Sequence, residues 1–179
     1  MLLLAPSGPN SGVSVRPRQC IETAMAADLQ SIDGVIQGGQ HRQSVRVYYE
    51  DTDFTGIVYH ASYLRFMERG RTNYLRLLGA DQRALFEEVA KQAPGFAFVV
   101  RSMQIDFRKP ARMDDVLEIV TAPLEVKGAS VVLHQRVNRD EETLVEAKVQ
   151  VAFVSGGRAR PTPKALRVAM QADQAAGSS

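Results

Sequence analysis

The chain has 179 residues, 45% of them apolar and 23% charged, the make-up of one globular domain rather than of a disordered or fibrous chain. A formal charge of +2, with no run of five basic residues, argues against nucleic acid as a partner. The single cysteine, Cys20, excludes an intramolecular disulfide and suits a reducing, cytoplasmic setting.

The opening MLLLAPSG is too short in its apolar part, and lacks the basic lead, to be read as a signal peptide. No run approaches the roughly 18 apolar residues of a membrane-spanning helix. Residues 1–43 are rich in Gly, Ser, Pro and Gln and are expected to form a low-order extension, with one short helical stretch in CIETAMAADLQSIDGVI. Met25 is an internal candidate start. His41 falls in this polar part and is given no role.

SVRVYYE (44–50) alternates, with Val45, Val47 and Tyr49 on one side and Arg46, Tyr48 and Glu50 on the other. That is strand patterning, ending near Glu50. From Tyr63 the period lengthens. Tyr63, Met67, Gly70, Tyr74 and Leu77 form a helical stripe, widened by Leu64, Phe66, Leu75 and Leu78. A helix apolar over so much of its girth expects protein on most sides. It should begin near His60 to Ser62 and stop at Gly79. Gly70 weakens the helix by roughly 1 kcal/mol against Ala, so close approach of another backbone is expected there.

A shorter helix is predicted over 81–92, with Leu85, Phe86 and Val89 inward. Four strand-like runs follow: FAFVVRSMQIDFRKP, DVLEIVTAPLEV, KGASVVLHQRVN and TLVEAKVQVAFV. Their links are short and polar, which implies antiparallel neighbours. Strand, long helix, then four strands is an α+β order, with a sheet curled about the helix. The body is expected over 44–166, with 167–179 a tail that frays from Gln171.

The stretch VYYEDTDFTGIVYHASYLRFMERGRTNYL (47–75) resembles the hotdog-fold thioesterases. Within them it is similar to the 4-hydroxybenzoyl-CoA thioesterase group, and there to the bacterial Tol-Pal-associated, YbgC-like acyl-CoA thioesterases. An acid, a Gly and a His in the pattern D-x-D-x-x-G-x-V-x-H before a helix carry the resemblance, which extends over about 44–166. It implies a five-stranded antiparallel sheet wrapped around one long helix, edge-to-edge homodimers or homotetramers, and hydrolysis of acyl-CoA to free acid and coenzyme A. No metal and no cofactor beyond the coenzyme A of the substrate is expected. An acyl carrier protein or a cell-envelope partner is compatible with it.

Thioester hydrolysis needs donors for the carbonyl oxygen and an activated nucleophile for the carbon. Helix-start N–H groups meet the first need, and a nearby carboxylate meets the second. The resemblance assigns Asp53 as nucleophile or base, His60 through its backbone N–H and its ring, and Tyr49 as an orienting group. Gly56 lets the loop take a shape that other residues resist, and with Val58 and Tyr59 it is assigned to substrate binding. Asp51 reads as a solvated or structural acid, and Thr52 and Thr55 as turn residues. Among the basic residues that could meet the phosphates of coenzyme A (Arg101, Arg108, Lys109, Arg112, Lys127, Arg136), Lys127 and Arg136 flank a strand near the expected site.

Two other readings fit the same fold. A hotdog hydratase or dehydratase would carry Pro-Gly after its His, where this chain has Ala61 and Ser62. A non-catalytic protein binding acyl-CoA or acyl carrier protein would keep the fold without needing Asp53.

Overall fold

The computed structural model describes residues 32–79 and 97–177, so the helix expected over 81–92 and residues 20–31 of the helical stretch expected in 20–36 lie outside the described residues, while the end of that stretch is strand from Val35. Among the described residues the elements are seven strands, two α-helices and a 3-10 turn. The strands and α-helices are β1 (Val35–Gln37), β2 (Gln40–Arg46), α1 (His60–Leu78), β3 (Ala97–Phe107), β4 (Val116–Val126), β5 (Ser130–Arg139), β6 (Glu142–Ser155), β7 (Arg158–Ala159) and α2 (Lys164–Gly177). All pairings are antiparallel, in the order β1-β2-β4-β5-β6-β3, with β7 also against β6. The fold is the expected α+β arrangement, with short β1 and β7 added to five longer strands.

Alternation builds the core. Leu117 and Ile119 of β4, Leu133 and Val137 of β5, and Val145 and Val149 of β6 turn to one face and are buried. α1 lays Tyr63, Phe66, Met67 and Tyr74 against them, each at most 3% exposed. At its midpoint α1 crosses a polar island. Gln135 donates to the Met67 carbonyl at 2.9 Å and to Thr121 Oγ1 at 2.8 Å, and accepts from Arg71 at 2.7 Å. A Cβ on Gly70 would stand 2.8 Å from Ile119 Cγ2 and 3.1 Å from Thr121 Oγ1. The close neighbours of Gly70 are thus β4 side chains, not another backbone.

Three boundaries differ from the sequence reading. Residues 35–37 and 40–43 are sheet, not extension, and His41 is fully buried against Tyr74. The polarity of GGQHRQS conceals this, because half of β2 faces outward and the inner half carries His41 and Gln43. The Asp33 carbonyl meets His41 Nε2, and Asn73 donates to the Gln43 side-chain oxygen. The C-terminal segment is helix α2, which crosses the expected end at 166. It buries Leu166 and Met170, and its Asp173 accepts a bond of 2.9 Å from the Tyr74 hydroxyl. Finally, β2 stops at Arg46, and Tyr49–Asp51 forms a 3-10 turn. The turn swings Tyr49 to 80% exposure while Val45 and Val47 stay inside, so Tyr49 does not continue their face. No described helix is long and apolar enough to cross a membrane.

Candidate active site

The loop between the 3-10 turn and α1 is held from both ends. Asp51 is buried, its carboxylate accepts from the Tyr48 N–H at 2.9 Å, and its carbonyl accepts from the Tyr59 N–H at 2.9 Å. This acid is structural. Between these anchors the chain reverses at 53–57. The Gly56 N–H donates to the Asp53 carbonyl and the Asp53 N–H to the Ile57 carbonyl, both at 3.0 Å. Gly56 sits at φ 76, with nothing within 4 Å of where a Cβ would be. Its backbone angle alone calls for glycine.

That reversal sets Asp53 beside the start of α1. Thr55 donates to Asp53 Oδ1 twice, from its N–H at 2.8 Å and from its hydroxyl at 2.5 Å. Asp53 Oδ2 has no hydrogen bond among the described residues. The Thr55 hydroxyl first, then the Thr55 N–H, hold the carboxyl below the usual carboxylate range. Asp53 is therefore charged at neutral pH.

A cleft of about 410 Å³ opens here, lined by Asp53, Ile57, Val58, Tyr59, His60, Tyr63 and, from the end of β3 onward, Phe107 to Pro110. α1 starts in it without a side-chain cap. Helix geometry gives the first N–H groups no intrahelical partner, and those of His60 and Ala61 have no other hydrogen-bond partner among the described residues. The Ser62 N–H, by contrast, is used by the Tyr59 carbonyl. Open donors, a helix dipole and a charged carboxylate thus share one cavity. The far wall is fixed by Tyr63, whose hydroxyl accepts from the Ala111 N–H at 2.7 Å, and by Val58, whose N–H donates to the Ala111 carbonyl.

Of the residues singled out in the sequence, Asp53, Val58, Tyr59 and His60 line the cleft, and Gly56 shapes its loop. The His60 ring lies on Tyr59 (centroids 4.3 Å apart) and edge-on to Phe107, with no bond to Asp53. Tyr49 is outside the lining. So are Lys127, ion-paired with Glu125, and Arg136, which reaches Gln40. The cations that do line it are Arg108 and Lys109, ion-paired with Glu146 and Glu142. Sequence order could not rank them, because the segment after β3 comes to the Asp53 loop only through the contacts of Ile57 with Arg112 and of Val58 with Ala111. Tyr63, Phe107 and the grip of Thr55 on Asp53 were also not singled out for the site. Only the last left a local trace, since a Thr two residues after an Asp is a common side-chain-to-backbone turn.

Residues 55–146 match the model of the Thioesterase superfamily. The chain is similar to the acyl-CoA thioesterase YbgC of Haemophilus influenzae, with 46% identity over 70% of this chain and 90% of that protein. It is equally similar to the acyl-CoA thioester hydrolase YbgC of Escherichia coli O157:H7, with 46% identity over 70% of this chain and 91% of that one. A probable thioesterase from Bartonella henselae superimposes with a TM-score of 0.60 at 39% identity, covering 69% of this chain and 98% of that structure. With its fold, its open helix start and these matches taken together, the chain belongs to the thioesterase superfamily.

Proposed function

We propose that the chain hydrolyses acyl-CoA thioesters in the Asp53 cleft. The carrying observation is a charged carboxylate with one free oxygen lining the same cavity as His60, the first residue of a helix whose starting N–H groups are open. The thioester carbonyl oxygen sits at the helix start, where negative charge developing on it gains two donors and the dipole. Asp53 Oδ2 then attacks the carbon or takes a proton from an attacking water. The C–S bond breaks, the thiolate leaves, and water supplies the hydroxyl of the acid and the proton of the thiol. A thiolate is a good leaving group near neutral pH, so the site needs no strong acid beside the sulfur. A hydratase reading has less support, because the acid of the cleft lies in the loop ahead of the helix.

In the purified Asp53→Asn protein, thiol release from acyl-CoA is expected to fall at least about a hundredfold, with the fold intact by circular dichroism. Turnover near that of the parent removes Asp53 from the mechanism. A panel of short, long and aromatic acyl-CoAs finds the preferred acyl group, and zero release across it favours a binding protein instead.

The assembly belongs to the same proposal. Among the described residues β3 pairs only with β6, and it exposes Val99, Val100 and Phe107 by 44 to 48%. An open edge of this kind invites a second copy. A solution mass of two or four times the 19.7 kDa chain is expected, and a monomer at micromolar concentration overturns it.

A further inference from the structure

Both oxygens of an aspartate are chemically alike until neighbours distinguish them. Here the distinction is complete. Oδ1 takes the Thr55 N–H at 2.8 Å and the Thr55 hydroxyl at 2.5 Å, and Oδ2 has no hydrogen bond among the described residues. The two bonds come from one residue two positions away, across a turn closed by Gly56. They fix the carboxylate plane as well as its position, because donors on a single oxygen resist rotation about the Cβ–Cγ bond.

We propose that Thr55 is a positioning residue of the reaction: its hydroxyl pins Asp53 Oδ1 and leaves Oδ2 as the reacting oxygen toward the acyl-CoA thioester. The proposal rests on the catalytic reading of Asp53. Two consequences follow from the geometry. With its hydrogen bonds to Oδ1 alone, the carboxylate presents Oδ2 with its electron pairs unshared, which serves attack on carbon or on a water proton. The same bonds hold Asp53 ionised, so its charge persists into mildly acidic solution. Thr55 itself is exposed and is not part of the cleft lining, so removing its hydroxyl leaves the substrate contacts unaltered.

The test compares Thr55→Val, which keeps the branched shape and the N–H, with Thr55→Ser, which restores a hydroxyl. The Asp53 carboxyl is titrated by carbon-13 NMR, and kcat and KM are measured against pH. In Thr55→Val the midpoint and the acid limb of kcat/KM should both move to higher pH. kcat at pH 7 should fall about threefold to tenfold with KM within about twofold, one charge-assisted hydrogen bond being lost at an exposed site. Thr55→Ser should return all three toward the parent. An unmoved midpoint in Thr55→Val, with Asp53→Asn inactive, overturns the role of Thr55 alone. A kcat loss that Thr55→Ser does not restore overturns it too. An active Asp53→Asn protein with a raised midpoint in Thr55→Val sinks the catalytic reading of Asp53, and the reaction role of Thr55 with it.

Discussion

Replacing Gly70 by Ala sets two effects of comparable size against each other. Helix propensity favours Ala by about 1 kcal/mol in a helix interior, and Gly70 lies mid-way along the 19-residue α1. Packing opposes it. The new methyl would lie 2.8 Å from Ile119 Cγ2, where carbons prefer about 3.5–4.0 Å. Ile119 is fully buried, and its Cγ2 is bonded directly to Cβ, so it cannot swing aside cheaply. The second contact, 3.1 Å to Thr121 Oγ1, presses on the acceptor of the Gln135 bond, and Gln135 is fully buried as well. Overpacking costs about 1–3 kcal/mol, and the rigidity of both neighbours puts this site at the upper end. The net expectation is a loss of about 1–2 kcal/mol. In urea, at fixed protein concentration, that is a midpoint lowered by about 0.5–1 M. A midpoint equal to or above the parent's would show that propensity wins and that α1 does not press on β4 at this point.

Two further expectations concern the histidines. His60→Ala keeps the backbone N–H at the helix start, so its loss of kcat should be several times smaller than that of Asp53→Asn. An equally deep loss assigns the chemistry to the imidazole. His41 is buried with Nε2 against the Asp33 carbonyl at 2.7 Å and Nδ1 without a partner. Burial lowers its pKa, opposed by the Asp33 carbonyl and then the Asp33 charge, while the Tyr74 ring, neutral in this range, packs beside it. The unfolded chain therefore takes up the proton first as pH falls. The stabilisation from neutral His41 is complete above about pH 6.5 and declines below it, by at most about 1.4 kcal/mol per pH unit. Urea midpoints between pH 7.5 and 5.5 should fall accordingly, and the His41 ring resonance should titrate below the ordinary histidine range. Titration above that range would contradict the packing described for β2.

Much of the fold was legible because its signals are local. The stripe from Tyr63 to Leu77 and the stop at Gly79 located α1, observed as His60–Leu78. The alternation of Val131, Leu133 and Val137 located β5, and the short polar links made its neighbours antiparallel. β2 was read only in part and α2 not at all, since their inner faces owe their burial to partners far away in sequence. His41 Nε2 meets the Asp33 carbonyl and the ring packs beside Tyr74, and α2 is tied to α1 through Asp173. Tyr49 shows a different failure. Its alternation with Val47 was genuine, but the Asp51 carboxylate captures the Tyr48 N–H and ends the strand early.

The sequence by itself determined the class of the fold, the place of Asp53 just ahead of a helix start, and the glycine that turns the chain between them. All of these depend on neighbours within about a dozen residues, where chain connectivity fixes the distances. Tertiary structure decided what buries His41, which cations line the cleft, and what presses on Gly70. Those depend on strand pairing and side-chain contacts between segments tens of residues apart, where no residue spacing sets the distance in advance.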